Sequence, residues 1–401
     1  MVITASDSNS TLLDVHDNGA GDGDGLQTLK GGHCQRDGIV ETRTHSGLRK
    51  TMLCVSDRRD NSNRHDQDSN SNTAFLCLPH SSEEALRADH SVAAVPALVE
   101  SSRQLLARPV RFFSSAAKER LLYVGQGEAA HTDPTQCDVI VSDKATTCHI
   151  LAIRSVSYDE AGVDRRVLAS LAHIDGTGYE NDIREMVRRH RTFHNESDMR
   201  RPQNMTDIEV HLVGGYDDES GTSPEISTFV LGTLASIADE EKDRMRLHLV
   251  TCAVSCLNDA GDRSPVGRGL AMDVATGDVV LARVHRDVAG PCRELRSARL
   301  CSGNGGGQFT YIHDVESDGV VSIDPFFFEA TKDLNMILTL PDETLLSCLS
   351  TSPDVEEEDF CDELRRTFSF MLRVCCHSVF GEDLSKPVQY RRIGTNGWKP
   401  V

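Results

Sequence analysis

The chain has 401 residues and a formal net charge of −20, with 42 Lys and Arg against 62 Asp and Glu. That balance argues against binding nucleic acid, whose phosphates need clustered cations, and against an anionic membrane surface; acidic proteins favour cationic partners. No stretch approaches the roughly 18 to 20 uninterrupted apolar residues of a membrane span, and Met1-Val2-Ile3-Thr4-Ala5-Ser6-Asp7 lacks the basic and apolar regions of a signal peptide, so a soluble protein of the cytoplasm, with access to the nucleus, is expected.

Residues 1–73 are rich in Asp, Asn, Ser and Gly, with Gly21-Asp22-Gly23-Asp24-Gly25 and Asp66-Gln67-Asp68-Ser69-Asn70-Ser71-Asn72 as extremes. Such a segment has too little apolar surface to offset the entropy of ordering, and a disordered extension is expected. A single folded domain is then expected over 74–401. Apolar runs bounded by polar turns predict strands at Asp138 to Val141, His149 to Ile153, Val167 to Ala172, Ile208 to Val213 and Leu247 to Val254. Ser223-Pro224-Glu225 opens a helix to about Asp243, with Ile226, Phe229, Val230, Leu234 and Ile237 on one stripe. Two hairpins are predicted. Leu270 to Val274 and Val279 to Val284 flank Thr276-Gly277-Asp278, and Phe309 to Ile312 and Val320 to Ile323 flank Ser317-Asp318-Gly319. Phe360, Leu364, Phe368 and Leu372 follow the acidic run Glu356-Glu357-Glu358-Asp359, read as a solvated helix start that complements the helix dipole. The fold class expected is α+β: one α/β sandwich with a largely antiparallel sheet flanked by helices.

Thirteen cysteines in spacings that make no disulfide framework predict free thiols in a reducing compartment. Cys252 with Cys256, and Cys375 with Cys376, have no matched second pair, so no zinc site is expected. Neither a metal nor an organic cofactor is called for. One thiol stands apart. Cys148, in Ser142-Asp143-Lys144-Ala145-Thr146-Thr147-Cys148-His149-Ile150, sits where a hydroxyl-rich loop meets an apolar strand, which permits a partly exposed sulfur on a rigid mount. The alternative for such a position is a small buried hydrophobe. His173 and Asp175 lie two apart, so on a strand they share a face, and Asp175 could orient the imidazole or bind a substrate ammonium. His149 would point to the opposite face and read as core, and His211 and His248 as hydrogen-bonded structural histidines. Ser142, Asp143, Thr146 and Thr147 could supply oxyanion donors or cap the loop. Gly214-Gly215 reads as a turn or a close backbone approach.

Several short blocks occur in one order: Leu121-Leu122-Tyr123-Val124, Ala145-Thr146-Thr147-Cys148-His149, His173-Ile174-Asp175-Gly176-Thr177, Val210-His211-Leu212-Val213-Gly214-Gly215, His248-Leu249-Val250-Thr251, Leu257-Asn258-Asp259, Arg296-Ser297-Ala298-Arg299 and Leu349-Ser350-Thr351-Ser352-Pro353. Together they resemble protein N-terminal asparagine amidohydrolase, from about Leu121 to Trp398. The resemblance implies Cys148 as nucleophile and His173, in the block it shares with Asp175, as base; Ser142, Thr146 and Thr147 stay as weaker candidates for the oxyanion or substrate contacts from the loop's own donors. It further implies hydrolysis of the side-chain amide of an N-terminal Asn to Asp and ammonia, feeding the N-degron pathway of ubiquitin-dependent degradation. The expected partners are proteins or peptides with a free N-terminal Asn, acted on by a monomer. A cysteine peptidase or transferase, and a non-catalytic reader of protein N-termini, are the other classes that the residues allow.

Overall fold

Side-chain alternation along two central strands explains how the layers stack. The computed structural model describes residues 51–55, 74–78, 92–93, 95–158, 165–195, 205–258, 264–303 and 307–401. Strand β7 is His149–Tyr158 and β8 is Arg165–Ile174, and they pair antiparallel with Ile150 opposite His173 and Ala152 opposite Leu171. Residues of one parity, Ile150, Ala152, Ala169 and Leu171, enter a core shared with a second sheet. Those of the other parity, Leu151, Ile153, Ala172 and Ile174, enter a core shared with helices. Both faces of the pair are dry, and each fully buried aliphatic side chain is worth roughly 1.5–3 kcal/mol.

The earlier strands are β1 (Thr51–Val55), β2 (Ala74–Leu78), β3 (Arg111–Phe113), β4 (Leu121–Tyr123), β5 (Glu128–Thr132) and β6 (Val139–Ala145). The later ones are β9 (Thr206–Gly214), β10 (Met245–Val254), β11 (Arg268–Asp273), β12 (Val279–Val284), β13 (Thr310–His313), β14 (Val320–Ile323), β15 (Val388–Ile393) and β16 (Gly397–Pro400). The main sheet runs β13-β5-β8-β7-β9-β10-β1-β2, the second β3-β12-β11-β6-β4, and a small third β14-β15-β16. The centre of the main sheet is antiparallel, whereas β9, β10 and β1 run parallel to one another, as do β13 and β5.

Helix α1 (Pro96–Leu106) is followed by α2 (Glu180–Asn195) and α3 (Thr222–Glu240). Ile183, Met186 and Val187 of α2, with Ile226, Val230 and Leu234 of α3, cover the outer face of the main sheet. The predicted stripe of α3 is the one buried, apart from Phe229, which is only partly covered. A third layer of short helices closes the far end: α4 (Arg293–Cys301), α5 (Lys332–Ile337), α6 (Asp342–Leu349), α7 (Phe360–Arg373) and α8 (Cys376–Phe380). They share a core of Leu295, Phe326, Phe328, Phe368, Met371 and Phe380.

The first predicted hairpin forms as β11 and β12. The second does not. Strand β13 joins β5 in the main sheet, whereas β14 pairs with β15 from the end of the chain. A 3₁₀ turn at Val315–Ser317 and Asp318 at φ 51° separate the two strands, and the long-range partners supply more paired backbone than a local hairpin could. The extension expected to be disordered lies outside the described residues save for β1, where Thr-Met-Leu-Cys-Val pairs parallel to β10 and antiparallel to β2. Among the described residues no helix is long and apolar enough to cross a membrane, and no cluster of three or more His, Cys, Asp or Glu could hold a metal ion.

Candidate functional site

The register of β7 and β8 brings the site together. It pairs His149 with Ile174 as its last step, Cys148 and Asp175 directly flank that pair in sequence, and Cys148 packs on the side of Ile150. Cys148 packs partly buried against the inter-sheet core, and Asp175 is among the charges that act on its thiol. Burial pushes the Cys148 thiol up to about 12, and the Asp175 carboxylate pushes in the same direction, opposed by a hydrogen bond from Thr147. The thiol is protonated at neutral pH in this state.

Two positions hold the backbone of Cys148. Gly215 N donates to the Cys148 carbonyl at 2.9 Å, and a Cβ on Gly214, at φ 126°, would overlap that same carbonyl oxygen. The close approach foreseen for Gly214-Gly215 is thus an approach to Cys148 itself. Thr147 Oγ1 meets Thr351 Oγ1 at 3.2 Å and the Ser223 hydroxyl donates to Thr147 O at 3.3 Å, so side chains of two distant segments cap the loop. Lys144, at φ 60°, sends its ammonium to Asp359 at 3.0 Å, Glu363 at 3.2 Å and Glu357 at 3.3 Å. The acidic run before α7, expected to be solvated, is therefore half of an ion cluster that fixes the loop. A lysine ammonium attracts carboxylates that a bare helix start would leave to water.

His173 is buried between the sheets, its Nδ1 hydrogen-bonded to Ser142 Oγ at 2.8 Å and its Nε2 without a partner. Burial drives its pKa down to about 4 against the pull of Asp175 and Glu128, so the ring is neutral. Ser142, one of the oxyanion candidates, bonds this ring. Asp175 makes its hydrogen bonds elsewhere: Tyr179 Oη donates to Oδ1 at 2.5 Å and Gln126 Nε2 to Oδ2 at 3.0 Å. Gln126 reaches it because Gly127, at φ 70°, turns the chain into β5 while donating its N–H to His173 O at 3.0 Å. Behind lies a buried ion pair between Glu128 and Arg296, whose guanidinium also donates to Ala289 O at 3.0 Å and Tyr123 O at 2.9 Å.

The remaining candidates are placed apart. His149 faces α3, its Nε2 bonded to Ser227 Oγ at 2.7 Å, and burial takes its pKa to about 3. Asp143 lies on the outer face of β6, accepting from Tyr123 Oη at 3.0 Å and Val284 N at 2.8 Å. His211 bonds Thr251 at 3.2 Å and His248 bonds Asp207 at 2.9 Å. Thr146 lies against Gly267. Sequence reasoning missed Gln126 and Tyr179. The glycines on both sides of Gln126, and Gly176 and Gly178 before Tyr179, were the available signal, since tight turns after strands often carry site residues.

A model of the family described as protein N-terminal asparagine amidohydrolase matches residues 113–400. The chain belongs to that family. A relative of the same name from Homo sapiens is 28% identical over 331 residues, covering 81% of this chain and 95% of its own length. One from Sus scrofa is 30% identical over 329 residues, with 81% and 94% covered, and one from Arabidopsis thaliana is 26% identical over 282 residues, with 65% and 75% covered. The matched residues 113–400 of the amidohydrolase family take in Cys148, His173, Asp175, Gln126 and Tyr179, together with all but the start of the two packed sheets.

Proposed function

We propose that this chain hydrolyses the side-chain amide of an N-terminal Asn in proteins and peptides, by covalent catalysis at Cys148. The observation that carries the reading is one face of one strand pair bearing a thiol, a carboxylate and a neutral imidazole with an open nitrogen, in a chain of the amidohydrolase family. Asp175, held by Tyr179 and Gln126, receives the substrate's α-ammonium through a charge-assisted hydrogen bond. The arriving cation cancels the charge that opposes thiolate formation, so the nucleophile is activated when substrate is bound.

His173 Nε2 takes the thiol proton, and the sulfur attacks the amide carbon to give a tetrahedral intermediate. As the C–N bond breaks, the imidazolium hands its proton to the departing nitrogen and ammonia leaves a thioester. Water, losing a proton to His173, attacks that thioester, the C–S bond breaks, and the proton returns to the sulfur. Ser142 keeps Nε2 as the open nitrogen throughout. The product begins with Asp and feeds the N-degron route to ubiquitin-dependent degradation.

The test is ammonia release, with the peptide intact by mass, from matched peptides beginning Asn, Gln, acetyl-Asn and Gly-Asn. Turnover restricted to the free Asn terminus is expected, because an acceptor left without its ammonium can cost about 10⁴-fold. Comparable rates on acetylated or internal Asn would overturn the terminal reading. Chain cleavage would point to a peptidase, and binding without ammonia to a reader of N-termini.

A further inference from the structure

A second concavity, of about 350 Å³, lies beside the nucleophile loop, walled by Val110, Pro265, Gly267, Arg268, Leu281 and Arg283. It adjoins the site. A Cβ on Gly267 would stand 3.5 Å from Thr146 Oγ1, and Arg268 pairs across the sheet with Ala145, three residues before Cys148. Arg268 Nε donates to Asn258 Oδ1 at 2.6 Å, Asn258 Nδ2 donates to Gly215 O at 2.5 Å, and Gly215 N holds the Cys148 carbonyl. The guanidinium is thereby fixed relative to the nucleophile.

What sets Arg268 apart is its charge. Arg154 and Arg296, which are buried, and Arg189 and Arg293, which are largely covered, each have a carboxylate within 3.1 Å. Arg268 has none among the described residues, and its one recorded partner is a neutral amide. Burial moves its pKa downward, and no anion among the described residues opposes it. In a chain of net charge −20 this half-buried cation has no counter-ion among the described residues. Arg283, exposed on the same wall, is paired with Glu357 at 3.6 Å, which leaves Arg268 as the cation of this cleft. Val110, half exposed, gives the cleft an apolar rim.

We infer that this cleft binds an acidic side chain of the substrate polypeptide, downstream of its N-terminal residue, with Arg268 as the carboxylate-binding group. The inference rests on the amidohydrolase reading and deepens it. An extended chain advances about 3.3 Å per residue, and Arg268 pairs with Ala145, three residues from Cys148, so positions two to five of the substrate are the ones to probe. The planar guanidinium offers two parallel N–H groups to a carboxylate, a match that a lysine does not reproduce.

The experiment measures kcat/KM for ammonia release from Asn-initiated peptides carrying Asp, Asn or Lys in turn at positions two to five. At one position Asp is expected to exceed Asn by about tenfold, through KM, with Lys poorest, and the Asp advantage to shrink between 50 and 500 mM salt. Arg268→Gln is expected to bring the Asp-to-Asn ratio to about one, and Arg268→Glu to invert the order so that Lys leads. The salt series on the wild-type protein decides the matter even if neither variant folds. An Asp preference at no position, one indifferent to salt, or one that survives Arg268→Gln overturns the subsite while leaving the amidohydrolase reading intact. Absence of ammonia from every Asn peptide sinks both.

Discussion

Replacing Asp175 by Asn should make Cys148 more reactive toward a neutral electrophile and less competent toward its substrate. Facing residues of an antiparallel pair have Cβ atoms about 5 Å apart, so a thiolate and the Asp175 carboxylate would lie about 6 Å apart. At an effective dielectric of about 20 the repulsion is roughly 3 kcal/mol, and halving it for partial solvent access leaves roughly 1.4 kcal/mol. These bounds correspond to about a 10- to 100-fold larger thiolate fraction in the variant. The assay is iodoacetamide labelling of Cys148, followed by mass spectrometry of its peptide to separate it from the other cysteines. In the wild-type protein, with the thiol pushed up to about 12, the labelling rate should climb about tenfold per pH unit from pH 7 to 10 without a plateau. Asp175→Asn should label faster throughout, yet release ammonia from Asn peptides at least 100-fold more slowly. Slower or unchanged labelling would refute the facing geometry of Cys148 and Asp175.

Three further outcomes are expected. His173→Ala should cut the chemical step by about 100-fold or more, whereas His149→Ala, on the opposite face against Ser227, should act mainly on melting temperature; single-turnover rates separate the two effects, and a reversed order would make His149 the base. A chain beginning at Lys50 should melt like the full chain, whereas one beginning at Thr73 loses β1, uncovers the β10 edge and should melt lower or aggregate, which scanning calorimetry distinguishes. Stability should also fall as pH drops from about 6.5 toward 4.5. Burial lowers the pKa of His131, His173 and His194 to about 4, so the unfolded chain takes up protons first, and the contribution present above the unfolded value is lost through that window. His194→Gln should flatten the fall in melting temperature, and an equally steep fall would move the acid sensitivity elsewhere.

The main strands and α3 were legible because their apolar runs report burial directly. His173 and Asp175 were legible as a pair because two-residue spacing on a strand is a statement about faces. The fate of β14 was not, since nothing near Val320 signals a partner at Val388, and a local turn is the cheaper guess. Nor could spacing alone say that Ser142 would meet His173, because that contact joins two sheets. Gln126 and Tyr179 converge on Asp175 from separate turns, and their meeting depends on how β5 and α2 pack. The acidic run before α7 looked self-sufficient as a helix start; only the fold brings Lys144 to it, across a separation of 215 residues from Asp359.

That separation bears on when the protein becomes active during its synthesis. Lys144 sits in a left-handed conformation that a non-glycine residue holds at a cost of about 1–3 kcal/mol unless its surroundings fix it, and the carboxylates that fix it lie at 357, 359 and 363. A nascent chain that has emerged from the ribosome only as far as β12 already carries Cys148, His173 and Asp175, but the loop before Cys148 is untethered. The competent loop is thus a late product of translation, completed after some nine-tenths of the polypeptide has been made.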